Sequence, residues 1–154
     1  MTPRAATVAY VGLGSNLGDR EGTIRRAAEE IGARRLSTIR ETEPWGVTDQ
    51  PLFLNAVAEL DWPGSAEELL ERLLEVERDL GRVRDGSRWG PREIDLDLLV
   101  FGSEAIDEPG LTVPHPELAD RLFVLEPLAE LAPELDVPGC GMVSDLLSKL
   151  QSPP

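Results

Sequence analysis

Two aspartates, Asp95 and Asp97, sit two residues apart in the segment Arg88–Phe101, RWGPREIDLDLLVF. From Glu93 onward polar and apolar residues alternate as in a β-strand, in which side chains i and i+2 share a face. Ile94, Leu96 and Leu98 would then face the core, and the two carboxylates would project together from the other side. At a rise of about 3.3 Å per residue they stand roughly 6–7 Å apart. Like charges at that distance repel by roughly 2–3 kcal/mol at an effective dielectric near 20. In open water such a strand face is simply solvated. The functional alternative is a hard divalent cation between the carboxylates, with a nucleotide phosphate completing its oxygen shell, an arrangement common for Mg²⁺.

The loop before this strand carries the complementary chemistry. Arg78, Arg82, Arg84, Arg88 and Arg92 fall in one short segment, and from Gly81 to Arg92 four arginines face a single acid, Asp85. Carboxylates for a metal and guanidinium groups for phosphate are the two components that phosphoryl transfer requires. The sequence has no G-x-x-x-x-G-K-[ST] loop, no strand lysine and no H-R-D, which excludes the P-loop and protein-kinase sites. In GLGSNLG (12–18) the third glycine falls one place late for a dinucleotide fingerprint, and the later strands lack a βαβ rhythm. A tight turn leading into a helix is the better reading of those glycines.

The whole chain bounds these options. Its 154 residues suit one domain over residues 1–154, and 41% hydrophobic with 29% charged residues is ordinary for a globular protein. The formal net charge of -14 argues against nucleic acid or an anionic membrane as partner. It leaves room for a small anionic substrate at the arginine-rich loop. One cysteine, Cys140, excludes an internal disulfide and a multi-cysteine metal site. No apolar run approaches membrane-spanning length and the N-terminus lacks a signal-peptide shape, so a cytoplasmic protein is expected. No amphipathic segment is left over once a core is built, and a monomer is expected.

The elements that must position the aspartates can be read in order. TVAYVGLG (7–14) reads as a buried strand. A helix starts at Asp19 and runs to about Ala33, with Ile24, Ala27, Ala28 and Ile31 on one face. Leu36–Glu43 reads as a second strand, PWGVTDQP (44–51) as a loop, and Phe53–Trp62 as a third strand. Ser65 and Glu68 form a capping box for an amphipathic helix over 66–80. The strand over 93–101 follows, and short helices are predicted at 117–132 and 143–150. The order β-α-β-β-α-β predicts an α+β class: a ferredoxin-like core with helices against one face of an antiparallel sheet, plus short C-terminal helices.

Five blocks in this order resemble the 6-hydroxymethyl-7,8-dihydropterin pyrophosphokinase family of folate biosynthesis: GLGSNLGD (12–19), ETEPWGVTDQPLFLNAV (41–57), LGRVR (80–84), RWGPREIDLDLL (88–99) and LTVPHP (111–116). The resemblance extends from about Val8 to Leu135. It implies transfer of a pyrophosphoryl group from ATP to the hydroxymethyl group of the reduced pterin, releasing AMP. It further implies that Asp95 and Asp97 hold two Mg²⁺ ions, one lowering the pKa of the pterin hydroxyl, with Asp97 placed to accept that proton.

By the same resemblance Arg82 and Arg92 match the catalytic arginines, whose planar forks suit phosphate oxygens. Arg84 and Arg88 match ATP contacts, though each would otherwise read as a solvated loop charge. Gly81, Gly86 and Gly90 would let the loop close over the substrates. A pterin pocket needs stacking faces and an amide-type reader. Trp89 and Phe123 match the first and Asn55 the second, with Thr42 and backbone groups near Pro44 and Trp45 completing the edge. His115, Thr112 and Arg121 match ATP-phosphate contacts, and Glu77 matches a position near the nucleotide. Read alone, His115 is a loop residue between prolines, Phe123 a core aromatic and Glu77 a solvated acid.

This sequence departs from the family pattern at three positions. Phe53 stands where some members carry tyrosine, keeping the ring without the hydroxyl; Glu43 replaces a proline beside the pterin edge; Gly110 stands where others have arginine. These bear on substrate affinity and leave the metal and arginine positions untouched. Two other functions share parts of the pattern. A two-metal nucleotidyltransferase would use the same aspartates but release pyrophosphate, and its Gly-Ser turn would lie close before the acidic pair, unlike Gly14-Ser15. A non-catalytic ferredoxin-like binding module has no need of two carboxylates beside two arginines.

Overall fold

The computed structural model describes residues 6–16, 19–42, 53–80 and 94–151. Strand β1 (Thr7–Ser15) leads to helix α1 (Arg20–Glu30), the short strands β2 (Arg35–Leu36) and β3 (Arg40–Thr42), strand β4 (Phe53–Trp62), helix α2 (Ala66–Leu80) and strand β5 (Asp95–Phe101). The sheet order is β2–β4–β1–β5, with β3 also on β4, and every pairing is antiparallel. This is the predicted ferredoxin-like arrangement. The chain continues through a hairpin, β6 (Ile106–Glu108) and β7 (Leu111–Val113), a 3₁₀ turn (Leu118–Asp120) and helix α3 (Leu122–Leu131). A second small hairpin, β8 (Asp136–Val137) and β9 (Gly141–Met142), precedes helix α4 (Val143–Gln151).

Local chemistry sets the helix ends. Asp19 caps α1 by accepting a hydrogen bond from Gly22 N at 3.1 Å. The helix stops at Glu30, three residues before the predicted end, because Gly32 adopts φ +78°. Gly32 N then bonds Glu29 O and Ala33 N bonds Ala28 O, a Schellman termination. The capping box of α2 forms as read: Ser65 N donates to Glu68 Oε1 and Glu68 N to Ser65 Oγ, both at 3.1 Å.

The predicted strand 36–43 is instead two pieces. Ser37 Oγ accepts from Val57 N at 2.8 Å, putting a side chain where a ladder carbonyl would stand. Thr38 N and Oγ1 both donate to Glu130 Oε2 on α3. The chain is thus pulled from the sheet between β2 and β3. The predicted helix 117–132 likewise divides into the 3₁₀ turn and α3.

The sheet is covered on both faces. On one, Val11, Leu13, Leu60 and Leu98 pack under Ile24 of α1 and Leu73 of α2. On the other, Tyr10, Val57, Leu99 and Val100 pack under Leu125 of α3 and Leu146 of α4. The second layer corrects the one-faced arrangement expected. A β-bulge supports it. The β1–β5 register shifts between Tyr10 and Val11, with Leu98 opposite Val11 and Val100 opposite Tyr10. Leu99 is the extra residue, so Leu99 and Val100 both reach the α3–α4 face.

Candidate active site

The two aspartates lie on β5 as the alternation requires: Leu96 and Leu98 are buried, Asp97 is exposed and Asp95 half-buried. Facing them across β1 are glycines, Gly12 opposite Asp97 and Gly14 opposite Asp95. Both glycines lie in β1, which continues one residue past the predicted end at Gly14 to Ser15. Two residues apart, they share the face of the carboxylates and remove the side chains that would otherwise fill it.

Beyond β1, Asn55 of β4 stands opposite Gly14, and Arg40 of β3 opposite Asn55. One row therefore reads Asp95, Gly14, Asn55, Arg40 across four strands. With strands roughly 4.8 Å apart, Asp95 and Asn55 are separated by about 10 Å at the backbone. The next residue outward on that face of β4 is Phe53, paired with Thr42 of β3. A methyl group placed on Gly14 would stand 3.0 Å from Asn55 Oδ1 and 3.8 Å from Phe53 Cδ1. Asn55 and Phe53 thus lean over Gly14, and the shallow floor there exists only because the residue is glycine.

Helix α3 supplies the other wall of this floor. Phe123, half-buried in its first turn, packs on the Tyr10–Val57 cluster. Arg121 lies over its ring, 5.4 Å from the centroid, and is also paired with Glu117. Arg40 ties the wall to the floor, with Nη1 2.9 Å from Glu126 Oε2 and Nη2 3.5 Å from Glu130 Oε1.

A second concavity meets the first at Asp97. It is a cleft of about 280 Å³ lined by Asp97, Leu70, Gly110, Thr112 and His115, among others. Thr112 is exposed on β7. Gly110 closes the β6–β7 hairpin with φ +85° and opens onto empty space. His115 N donates to Leu99 O at 2.9 Å, which fixes the residue against the outer edge of β5. Its Nδ1 accepts from Glu117 N at 3.2 Å, so the neutral ring carries its hydrogen on Nε2. Burial pushes the imidazole below its usual range; Asp97 works against that shift and Arg121 with it. Glu77 is not among the described residues that line this cleft. Its Oε2 accepts from Leu96 N at 2.8 Å.

The structure brings together Asp95, Asp97, Phe53, Asn55, Thr112, His115, Arg121 and Phe123. Pro44, Trp45, Arg82, Arg84, Arg88, Trp89 and Arg92, with Glu43, lie outside the described residues, and of Thr42 only the backbone pairing is described. Gly12 and Gly14 are the residues that sequence reasoning missed. The signal was present, since their spacing of two matches that of the aspartates. Among the described residues no cluster of three or more His, Cys, Asp or Glu side chains could hold a metal alone. Any cation between Asp95 and Asp97 would take further oxygens from its substrate, as Mg²⁺ does from polyphosphates. The paired carboxylates over a glycine floor fit that requirement.

Comparisons with known proteins place the chain in a family. The family described as 7,8-dihydro-6-hydroxymethylpterin-pyrophosphokinase matches residues 10–133. Proteins named 2-amino-4-hydroxy-6-hydroxymethyldihydropteridine pyrophosphokinase are similar over most of their length. The one from Bacillus subtilis is 44% identical over 135 residues, covering 84% of this chain and 80% of that protein. The one from Methylorubrum extorquens is 43% identical over 150 residues, covering 94% of each. The one from Pseudomonas aeruginosa is 44% identical over 145 residues, covering 90% and 89%. Among solved structures, wild-type HPPK-DHPS of Plasmodium falciparum superimposes with a TM-score of 0.69 at 13% identity, which speaks to the fold. The match covers 94% of this chain and 41% of that longer one.

Proposed function

The chain belongs to the 7,8-dihydro-6-hydroxymethylpterin-pyrophosphokinase family, and from that premise we infer that its two concavities divide the substrates between them. The reaction is the transfer of pyrophosphate from ATP to the hydroxymethyl group of 6-hydroxymethyl-7,8-dihydropterin in folate biosynthesis. The observation that carries the division is the position of Asp97, which faces the glycine floor on one side and lines the His115 cleft on the other.

The pterin would lie over Gly12 and Gly14, its amide-like edge read by Asn55 and the Thr42–Pro44–Trp45 segment. Its ring would sit against Phe123, Phe53 and Trp89. ATP would enter the cleft of Thr112 and His115, with Arg84, Arg88 and Arg121 near its phosphates. His115 offers Nε2–H as a donor that stays neutral, leaving the charge to the arginines. Arg82 and Arg92 would meet the transferred group. Asp95 and Asp97 would hold two Mg²⁺ ions, which when bound neutralise the polyphosphate and acidify the attacking hydroxyl. Asp97, shared by the glycine floor and the cleft, would accept the hydroxyl proton. The chain would act as one domain, a monomer, in the cytoplasm; no helix among the described residues is long and apolar enough to cross a membrane.

A product assay tests this reading: purified protein, ATP, Mg²⁺ and the pterin, with nucleotides separated by chromatography. AMP forming in step with a pterin diphosphate, and vanishing in Asp97→Ala, is the expected result. ADP, or free pyrophosphate with an adenylylated pterin, would overturn it.

A further inference from the structure

Strand β5 lies at the edge of the sheet, so among the described residues one side of its backbone has no neighbouring strand. Its ladder partner β1 offers only Gly12 and Gly14 opposite Asp97 and Asp95, and glycines contribute no side-chain packing to hold them. Two like charges on one face of such a strand favour fraying at its start. Among the described residues, that edge is nevertheless tied at two points. His115 N donates to Leu99 O at 2.9 Å. At the other, Leu96 N, midway between the two aspartates, donates to Glu77 Oε2 at 2.8 Å.

Glu77 is well placed to serve as a fixture. Its neighbours on α2, Leu73 and Val76, are buried against the sheet, so the helix itself is anchored. A carboxylate accepting a backbone N–H makes a charge-assisted bond, stronger than a neutral one. It also satisfies an edge amide that would otherwise need water.

We propose that Glu77 is a positioning residue for the reaction, acting through the Leu96 amide to hold Asp95 and Asp97 at the spacing their cation requires. This rests on the reading of Asp95 and Asp97 given above. It assigns Glu77 a task different from contact with the nucleotide, since the atom it holds belongs to the metal-binding strand. Groups that orient metal ligands typically change metal affinity 10–100-fold when removed.

Three substitutions separate reach from charge. Glu77→Gln keeps an acceptor oxygen at the same distance and loses the charge. Glu77→Asp keeps the charge and withdraws it by one methylene. Glu77→Ala removes both. Amide hydrogen exchange at Leu96, followed by NMR without substrates, and the Mg²⁺ midpoint of the steady-state rate are the two readouts. In Glu77→Ala and Glu77→Asp, Leu96 exchange should quicken by about tenfold or more and the Mg²⁺ midpoint should rise about tenfold. In Glu77→Gln both readouts should fall between the parent and Glu77→Ala, since a neutral acceptor keeps the bond at about half its strength. Unchanged Leu96 exchange in Glu77→Ala would overturn the proposal. So would a Mg²⁺ midpoint displaced as far by Gln as by Ala, because charge would then be the working property. If the parent protein gives no turnover, the assigned reaction fails, while Leu96 exchange in the three variants still decides the anchor.

Discussion

Asp95 and Asn55 face each other across Gly14, one strand to either side of it. A carboxylate and an amide thus share one floor, and the width of that floor depends on a missing side chain.

In Gly14→Ala the new methyl would stand 3.0 Å from Asn55 Oδ1, while in Gly12→Ala it would meet Leu99 at an ordinary 3.6 Å. Displacing a substrate-positioning group by a fraction of an ångström to 1 Å costs up to roughly 10²-fold in rate. Gly14→Ala should raise the pterin KM about tenfold with little change in Tm, and Gly12→Ala should do less. Steady-state kinetics with each substrate varied, alongside thermal melts, would check this. Equal effects of the two substitutions would contradict the crowding argument.

Asp97→Asn should lower kcat by at least roughly 10³-fold, because it would remove both the proposed metal ligand and the proposed proton acceptor. Arg82→Ala and Arg92→Ala should cost roughly 10³–10⁵-fold, the range for arginines in phosphoryl transfer. Stability should move the other way at the strand. Relieving repulsion between Asp95 and exposed Asp97 should leave the Tm of Asp97→Asn equal to or above the parent's. A melt well below the parent's would mean that Asp97 holds the fold.

Glu59 governs a pH dependence far from the site. Its carboxylate is only 2% exposed and bonds Arg35 at 2.8 Å, Arg34 at 2.7 Å and Tyr10 Oη at 2.7 Å. The Arg35 bond leads in bringing its pKa from 4.5 down to about 2, against the opposing effect of burial. A folded pKa below the unfolded one stabilises above pH 4.5, and the gain is lost as pH falls toward 2. The full difference corresponds to about 3 kcal/mol as an upper figure. Urea unfolding should show Glu59→Gln clearly less stable than the parent at pH 7, with the gap closing near pH 2–3. A gap independent of pH would show that the charge is not responsible. Tyr10, pushed up to about 12 chiefly by burial, carries the mirror case. Its contribution is present below pH 10 and is lost as pH rises toward 12.

Arg40 links the strand paired with Asn55 to the helix that carries Phe123, through Glu126. Such partly exposed pairs contribute about 0.2–1 kcal/mol to stability. The expected signature is therefore in recognition. Arg40→Ala and Glu126→Ala should each raise the pterin KM about two- to fivefold, with kcat and the ATP KM nearly unchanged. The charge-reversed pair Arg40→Glu with Glu126→Arg should recover most of that loss. Additive effects in this double-mutant cycle would show that the ion pair does not couple wall to floor.

What the sequence determined by itself was whatever local periodicity and spacing encode. Strand β4 and helix α2 run over the predicted residues, Phe53–Trp62 and Ala66–Leu80, because alternation, an amphipathic repeat and a capping box are all local. The common face of Asp95 and Asp97 was equally legible, since a strand's side chains repeat every two residues. Singling out Asn55, Phe123, Thr112 and His115 as candidates needed the family's pattern, because none is distinctive by type alone.

Tertiary structure decided the rest. The break between β2 and β3 depends on Glu130, distant in the chain. The bulge at Leu99 depends on its register against Tyr10 and Val11, and the second helical layer on apolar residues that the bulge delivers to that face. Gly12 and Gly14 read only as the end of a strand and the start of a turn until pairing with Asp97 and Asp95 made them a floor. Glu77 read as a solvated acid until the edge of β5 brought Leu96 N within reach. In each case the deciding partner lies elsewhere in the chain, and nothing in the local spacing of residues carries its position.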